Sequence, residues 1–183
     1  MKILQVHNYY QIGGGEATVV AAEKNLLTEK GHKLITYYRK NEEIQSYSIP
    51  KKMGLLKNTT WSETSYREIL KILKAERPDI CHVHNVLPLI SPAVYYACAN
   101  ENVPVVQTLH NYRLICANGL FQRAGKICED CLGSSAYGAV LKKCYRNSSV
   151  QTLAVARMLE KHKTKKTWSE KINAYICFCL CII

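Results

Sequence analysis

The sequence predicts an α/β fold: a doubly wound, mainly parallel sheet with helices on both faces. Three observations carry this. A short apolar run, Lys2–Val6, meets a glycine-rich turn, Gly13-Gly14-Gly15, and a helical pattern follows before a second strand candidate. Strand and helix patterns then keep alternating along the chain. The fourth strand candidate, Pro104–Leu109, is short and apolar, as parallel strands buried on both faces usually are.

Each element has its own signal. After the glycine turn, Val19, Ala22 and Leu26 fall on one helical face, flanked by Val20 and Leu27, and Gly31 is a good terminator. Lys33–Tyr38 is the second strand. Residues 39–60 show no clear period and read as an irregular surface excursion. Helical spacing returns with Tyr66, Ile69, Leu70 and Leu73; Ser62 is a suitable N-cap and Pro78 a stop. Asp79–His84 is the third strand. Ser91-Pro92 reads as cap and first turn of a helix running to about Asn100. Helical character resumes at Ser149, and Asn173–Cys179 is the last strand candidate. The right-handed crossover rule and this order place strand one at the centre.

Composition sets outer limits. A chain of 183 residues suffices for one domain with a real core, not two. No apolar run reaches the roughly 20 residues that span a bilayer. The start turns polar too soon for a signal peptide, which predicts a cytoplasmic address. The formal charge of +11 points to an anionic partner. Nine cysteines in a reducing compartment favour metal ligation or burial over disulfides.

Five stretches could carry chemistry. Glycines at Gly13-Gly14-Gly15-Glu16 let backbone approach an anion at a helix start, or simply make a turn. Thr108-Leu109-His110-Asn111 ends strand four, where ligands of open α/β sheets bind; a histidine there can serve a sugar hydroxyl, or be an ordinary loop residue. Strand alternation puts His82 and His84 on one face, and His84 and Asn85 reach the same crevice edge as His110. With no third ligand nearby in sequence, hydrogen-bonded histidines are the better reading than a metal pair. Cys116, Cys128, Cys131 and Cys144 suit one tetrahedral zinc, with a redox pair or a small local core as alternatives. Lys161, Lys163, Lys165, Lys166 and Lys171 around Trp168 suit an anionic membrane surface, or only a solvated face.

With these residues in view, the chain resembles the N-terminal, acceptor-side domain of glycosyltransferase family 4, a Rossmann-like half of the GT-B fold. The resemblance rests on Gly-Gly-Gly-Glu after strand one, Leu27–His32 closing helix one, Pro78–Asn85, and Pro104–Asn111. The segment from Tyr112 to Arg146 is similar to a cysteine module carried by part of that family. The resemblance implies residues 1–176 as the domain, with 111–147 as the cysteine-rich insertion.

It also implies a reaction: a sugar moves from a nucleotide-sugar donor to a glycan, lipid-linked or polysaccharide acceptor, with retention. Gly14 and Gly15 then approach the donor diphosphate, and His110 touches the transferring sugar. Tyr9, His84, Asn85 and Asn111 are acceptor or cleft candidates. No metal is needed for catalysis, and zinc at the four cysteines would be structural. The family's second, nucleotide-holding domain is not found, so residues 177–183 read as an aberrant or truncated tail. The chain is then a truncated or frameshifted product, an incomplete fragment, or one half of a split enzyme whose donor domain a separate chain supplies, and alone it is expected not to transfer sugar. An NADP-dependent reductase is the runner-up, with Arg39 after strand two and a Tyr47-x3-Lys51 pair, but the glycine fingerprint is wrong for it. A zinc-containing nucleic-acid or interaction module is the third reading. It is disfavoured because the cysteines interrupt an α/β domain.

Overall fold

The computed structural model describes residues 1–11 and 14–177. It is an α/β fold built on a five-stranded parallel sheet in the order β2-β1-β3-β4-β7. The strands are β1 (Lys2–Tyr9), β2 (Lys33–Lys40), β3 (Ile80–Val83), β4 (Val105–Leu109) and β7 (Ala174–Cys177). The doubly wound, Rossmann-like class is therefore the one observed. One detail is corrected: β1 is interior, but β3 holds the middle. The far end of the last predicted strand, residues 178–179, lies outside the described residues.

Strand alternation gives the sheet two unlike faces. Leu4 and Val6 on β1 pair with Cys81 and Val83 on β3, and Cys81 pairs with Val105 on β4. These side chains pack with Ile69 and Leu73 of α3 (Glu63–Glu76), Val94, Tyr95 and Cys98 of α4 (Ala93–Asn100), and Val155, Met158 and Leu159 of α6 (Ser149–Thr164). That is the apolar core. The intervening positions are polar and yet buried: Gln5, His7, His82, His84 and Thr108. Helix α1 (Gly15–Glu29) covers them, and Val20 is its one buried residue. The expected face of Val19, Ala22 and Leu26 is a correction, since Leu26 is 53% exposed. The inward stripe is instead Glu16, Val20, Glu23 and Leu27, at the same helical spacing but with two carboxylates in it. Apolar periodicity reached only its Val20 and Leu27, as flanks of the expected face.

Residues 39–60 are also more ordered than their pattern suggested. A 3₁₀ turn (Asn41–Ser46) leads into α2 (Ile49–Asn58), which starts with Pro in its first turn and places Ile49, Met53 and Leu56 along one side. Ser62 caps α3 as expected, accepting from the Ser65 amide at 3.3 Å. Ser91 caps α4 one position early. Its hydroxyl accepts from Ala93 N–H at 3.3 Å and from Ser62 N–H at 2.8 Å, so one serine ties two helix starts together.

Residues 111–147 are loop-rich, as read. They hold a two-residue hairpin, β5 (Gln122–Arg123) with β6 (Lys126–Ile127), and one helical turn, α5 (Gly138–Leu141). Helix α7 (Thr167–Glu170) precedes β7. Trp168 packs edge-on against Tyr95 and tilted on His162, so its ring turns inward rather than toward a membrane interface. Among the described residues no helix is long and apolar enough to cross a membrane.

Candidate functional site

Because the strands are parallel, the loop after β1 and the residues after β4 open on the same, carboxyl edge of the sheet. Here α1 begins. Gly14 is its N-cap and Gly15 its first residue, while Gly13 lies outside the described residues. A Cβ added at Gly14 or Gly15 would meet no protein atom within 4 Å. Neither internal packing nor, at Gly14, a left-handed backbone requires glycine there (φ −136°). Space outside the protein is what these residues keep open.

A small cavity at this edge is lined by Glu16, His84, Asn85, Thr108, His110, Asn111 and Arg113. Of the sequence candidates it brings together His84, Asn85, His110 and Asn111. Gly14, Gly15 and Tyr9 are not among its lining residues; the Tyr9 ring lies edge-on to His7 and Tyr38, at 4.3 and 5.4 Å between centroids.

Beneath the cavity runs a relay of three side chains. Glu23 Oε2 lies 3.1 Å from His84 Nε2, and His84 Nδ1 lies 3.1 Å from His110 Nε2. A carboxylate only accepts, so His84 donates to it through Nε2; when His84 is neutral its Nδ1 accepts, and His110 then carries its proton on Nε2. His82 flanks the relay, with Nε2 at 2.7 Å from the Thr108 hydroxyl and Nδ1 at 3.6 Å from Glu23. Asn85 fixes the crossing loops: its amide donates to the Asn8 carbonyl at 2.8 Å, and its Oδ1 accepts from Leu87 N–H at 3.1 Å.

Glu16, Glu23, His7 and Arg113 were missed as site residues. Glu16 stands in the Gly-Gly-Gly-Glu stretch, but only its spacing of seven from Glu23, two helical turns, could have linked the two glutamates. Burial pushes Glu16 up to about 7, against the opposing pull of Arg113, so it exchanges protons near neutrality. Glu23 is held below its ordinary value: the hydrogen bond and charge of His84 outweigh its burial.

Glu23, His82 and His84 are also the one group of three potential metal ligands, among the described residues, whose ligand atoms all lie within 4.8 Å of one another. The sequence reading lacked that third ligand. The four cysteines line a cavity of about 20 Å³, large enough for one ion, but no three of their sulfurs reach that mutual spacing. Cys116 instead points to Asn118 Oδ1 at 3.0 Å and Cys128 to Asp130 Oδ2 at 3.4 Å.

The histidine cluster makes stability depend on pH. Burial lowers His7 from 6.5 to about 3, helped by the charges of His84 and His110. Burial likewise lowers His82 and His110 to about 4. All three are neutral in the folded chain, so between pH 6.5 and 4 the unfolded chain binds protons that the folded chain refuses. Stability is fully present above 6.5 and lost as pH falls through that window. Glu16 has the opposite sign: raised from 4.5 to about 7, its contribution is present at low pH and lost as pH rises through 7. Three groups oppose one, so the urea midpoint is expected to be lower near pH 5 than near pH 7. A higher midpoint near pH 5 would show that Glu16 dominates.

Comparison with known proteins can now be set beside this geometry. The sequence model of Glycosyltransferase Family 4 matches residues 13–159, more than half of the chain. The chain belongs to glycosyltransferase family 4. The matched span of this family 4 domain begins in the glycine loop and ends in α6, and so contains Glu16, Glu23, His84, His110 and Arg113, though not Trp168, which also lines the cavity. No curated protein matches it. Among solved structures it is similar to the UDP co-structure of S. aureus MnaA, at 13% identity and a TM-score of 0.42, over 94% of this chain and 43% of that one. It is also similar to the periplasmic component of an ABC-type sugar transport system from Hahella chejuensis, at 15% identity and a TM-score of 0.34, over 97% of this chain and 60% of that one. The family 4 chain thus spans less than two thirds of either protein.

Proposed function

We propose that this family 4 domain is the acceptor-side half of a retaining glycosyltransferase, using a nucleotide-sugar donor. The observation that carries the reading is the convergence of Glu16, His84, His110 and Arg113 on one cavity at the carboxyl edge of the sheet, next to the open glycine start of α1. The helix start offers backbone N–H groups and a positive dipole end to a diphosphate. His110, oriented by His84 and Glu23, faces the transferring sugar. Glu16 sits where an acceptor hydroxyl can pass a proton to it near neutral pH. Rate then comes from positioning and from stabilising charge that leaves on the diphosphate, with no metal needed for that step.

Such a cavity is one wall of a two-walled site, and a nucleotide-holding domain completes it, in the same polypeptide or from another. The 183-residue chain by itself is expected to show no sugar transfer and only weak nucleotide-sugar binding, and to gain transfer when a family 4 donor domain is added or fused. Robust turnover by the chain alone overturns the half-site reading.

The four cysteines are proposed to hold a structural zinc. Residues 111–147 leave Leu120, Ile127 and Leu141 exposed, so this segment has little core of its own and a closed ion could hold it. The sulfurs must rotate from their present partners to close a tetrahedron. Reduced, purified protein is expected to carry about one zinc per chain; a metal content near zero removes the ion and leaves the cysteines as a small local core.

A further inference from the structure

The polar layer between α1 and the sheet holds three groups spaced like the ligands of one ion. Glu23 Oε2 lies 3.1 Å from His84 Nε2 and 3.6 Å from His82 Nδ1. Ligands at about 2.0–2.1 Å around a tetrahedral ion stand about 3.3 Å from one another. Both measured edges fall close to that value. Glu23 Oε2 is buried, yet no donor meets it with full hydrogen-bond geometry; the approach of His84 is close but not well aligned. Ligand atoms around an ion aim at the ion between them rather than at one another.

The surroundings fit the same reading. His82 Nε2 lies 2.7 Å from the Thr108 hydroxyl, and His84 Nδ1 lies 3.1 Å from His110 Nε2. A ligating histidine is ordinarily fixed in this way, through its other ring nitrogen. The carriers are rigid: His82 and His84 share one face of the sheet at the end of β3, and Gln5 is the register partner of His82 on β1. Gln5 Nε2 lies 3.3 Å from His84 Nε2. A half-turn of that amide puts its oxygen there instead, near the tetrahedral spacing, where it can serve as a fourth ligand. Two imidazoles with a carboxylate suit zinc and its transition-metal neighbours, whereas magnesium and calcium take oxygen ligands.

We infer that Glu23, His82 and His84, with Gln5 beside them, form a site for one zinc-class divalent cation. The ion takes the place of the proton between Glu23 and His84. His84 then gives Nε2 to the ion and carries its proton on Nδ1, which donates to His110 Nε2. His110 carries its own proton on Nδ1. Each ring keeps one proton and moves it from Nε2 to Nδ1, so none is gained or lost. The ion thus reverses the relay and changes what His110 offers to the cavity. The site rests on geometry alone; its effect on turnover rests on the glycosyltransferase reading above.

Cobalt(II) tests the site, because its absorption reports its ligands. The whole reduced chain, dialysed against a chelator, would be titrated with it. Cobalt at the four cysteines would show a thiolate charge-transfer band; cobalt here shows visible bands without one. That second signal is expected to saturate at about one equivalent and to be displaced by zinc. Glu23→Gln and His82→Gln are each expected to weaken it by about tenfold or more. Circular dichroism would check folding; if His82→Gln does not fold, Glu23→Gln, at a partly exposed helical position, decides alone. Cobalt bound only with the thiolate band, or bound equally by Glu23→Gln, overturns the site. Zinc should turn His110 Nε2 from protonated to unprotonated in nitrogen-15 spectra of the imidazoles; an unchanged Nε2 with zinc bound overturns the reversal. In an enzyme completed by a donor domain, zinc is expected to lower turnover, and Glu23→Gln to blunt that response. Cobalt binding without any sugar transfer removes the glycosyltransferase reading and leaves the site, and sugar transfer without cobalt binding does the opposite.

Discussion

In a family 4 enzyme completed by its donor domain, His110→Ala is expected to lower kcat roughly 10²–10³-fold, the range for loss of one positioned polar group at a reacting centre. KM for the acceptor should move little. The reason lies in how the ring is held. Its Nε2 lies 3.1 Å from His84 Nδ1, and His84 is itself fixed by Glu23 at 3.1 Å, so His110 is presented to the cavity in one orientation. Such preorganisation matters most where charge develops, not where substrate merely docks. The fold should be unaffected, since His110 is only partly buried and lies beyond the end of β4. Steady-state kinetics with near- and far-ultraviolet circular dichroism would decide it, and unchanged turnover would remove His110 from the site.

The second large effect is on stability. Asn8 is fully buried at the end of β1. Its Oδ1 accepts from Leu89 N–H at 3.0 Å, and its Nδ2 donates to Asn41 Oδ1 at 2.8 Å. One side chain thus joins β1 to the loop after β3 and to the start of the excursion after β2. Asn8→Ala leaves a buried donor and a buried acceptor unpaired. At about 1–3 kcal/mol each, the expected loss is roughly 2–6 kcal/mol, a large share of a typical domain's stability. Urea unfolding at fixed pH would read it as a lower midpoint with an unchanged slope. A loss below the noise would mean that water or relaxation satisfies both groups.

Much of this fold was legible in the sequence because its signals are local. The glycine turn, the Ser62 cap, the four apolar strand cores and the His82/His84 alternation each depend on a few neighbouring residues. What escaped depends on partners far away in the chain. Residues 49–58 form a short helix in which Ile49, Met53 and Leu56 share one side but none is buried, so the segment offers only three apolar positions as a signal. The inward stripe of α1 is half acidic, because the face it covers holds Gln5, His7, His82 and His84 rather than aliphatic groups; a search for apolar spacing selects the wrong side. The site divides the same way. His84, Asn85, His110 and Asn111 stand at strand ends, where position alone marks them. Glu16, Glu23 and Arg113 are recognised only when the elements that carry them are folded together.

The two unlike faces of the sheet carry a consequence for how this chain tolerates change. Along β1, even-numbered positions hold the molecule together: Leu4 and Val6 in the core, Asn8 as a tie between loops. Odd-numbered positions, Gln5 and His7, belong to the polar layer under α1. On β3 the parity is reversed by the pairing register, with Cys81 and Val83 in the core and His82 and His84 in the layer. Substitutions on the two faces therefore act differently: those facing the apolar core change how much folded protein there is, while those in the polar layer also change the groups that line and support the cavity. A lineage could rewrite the polar layer while leaving the apolar core in place.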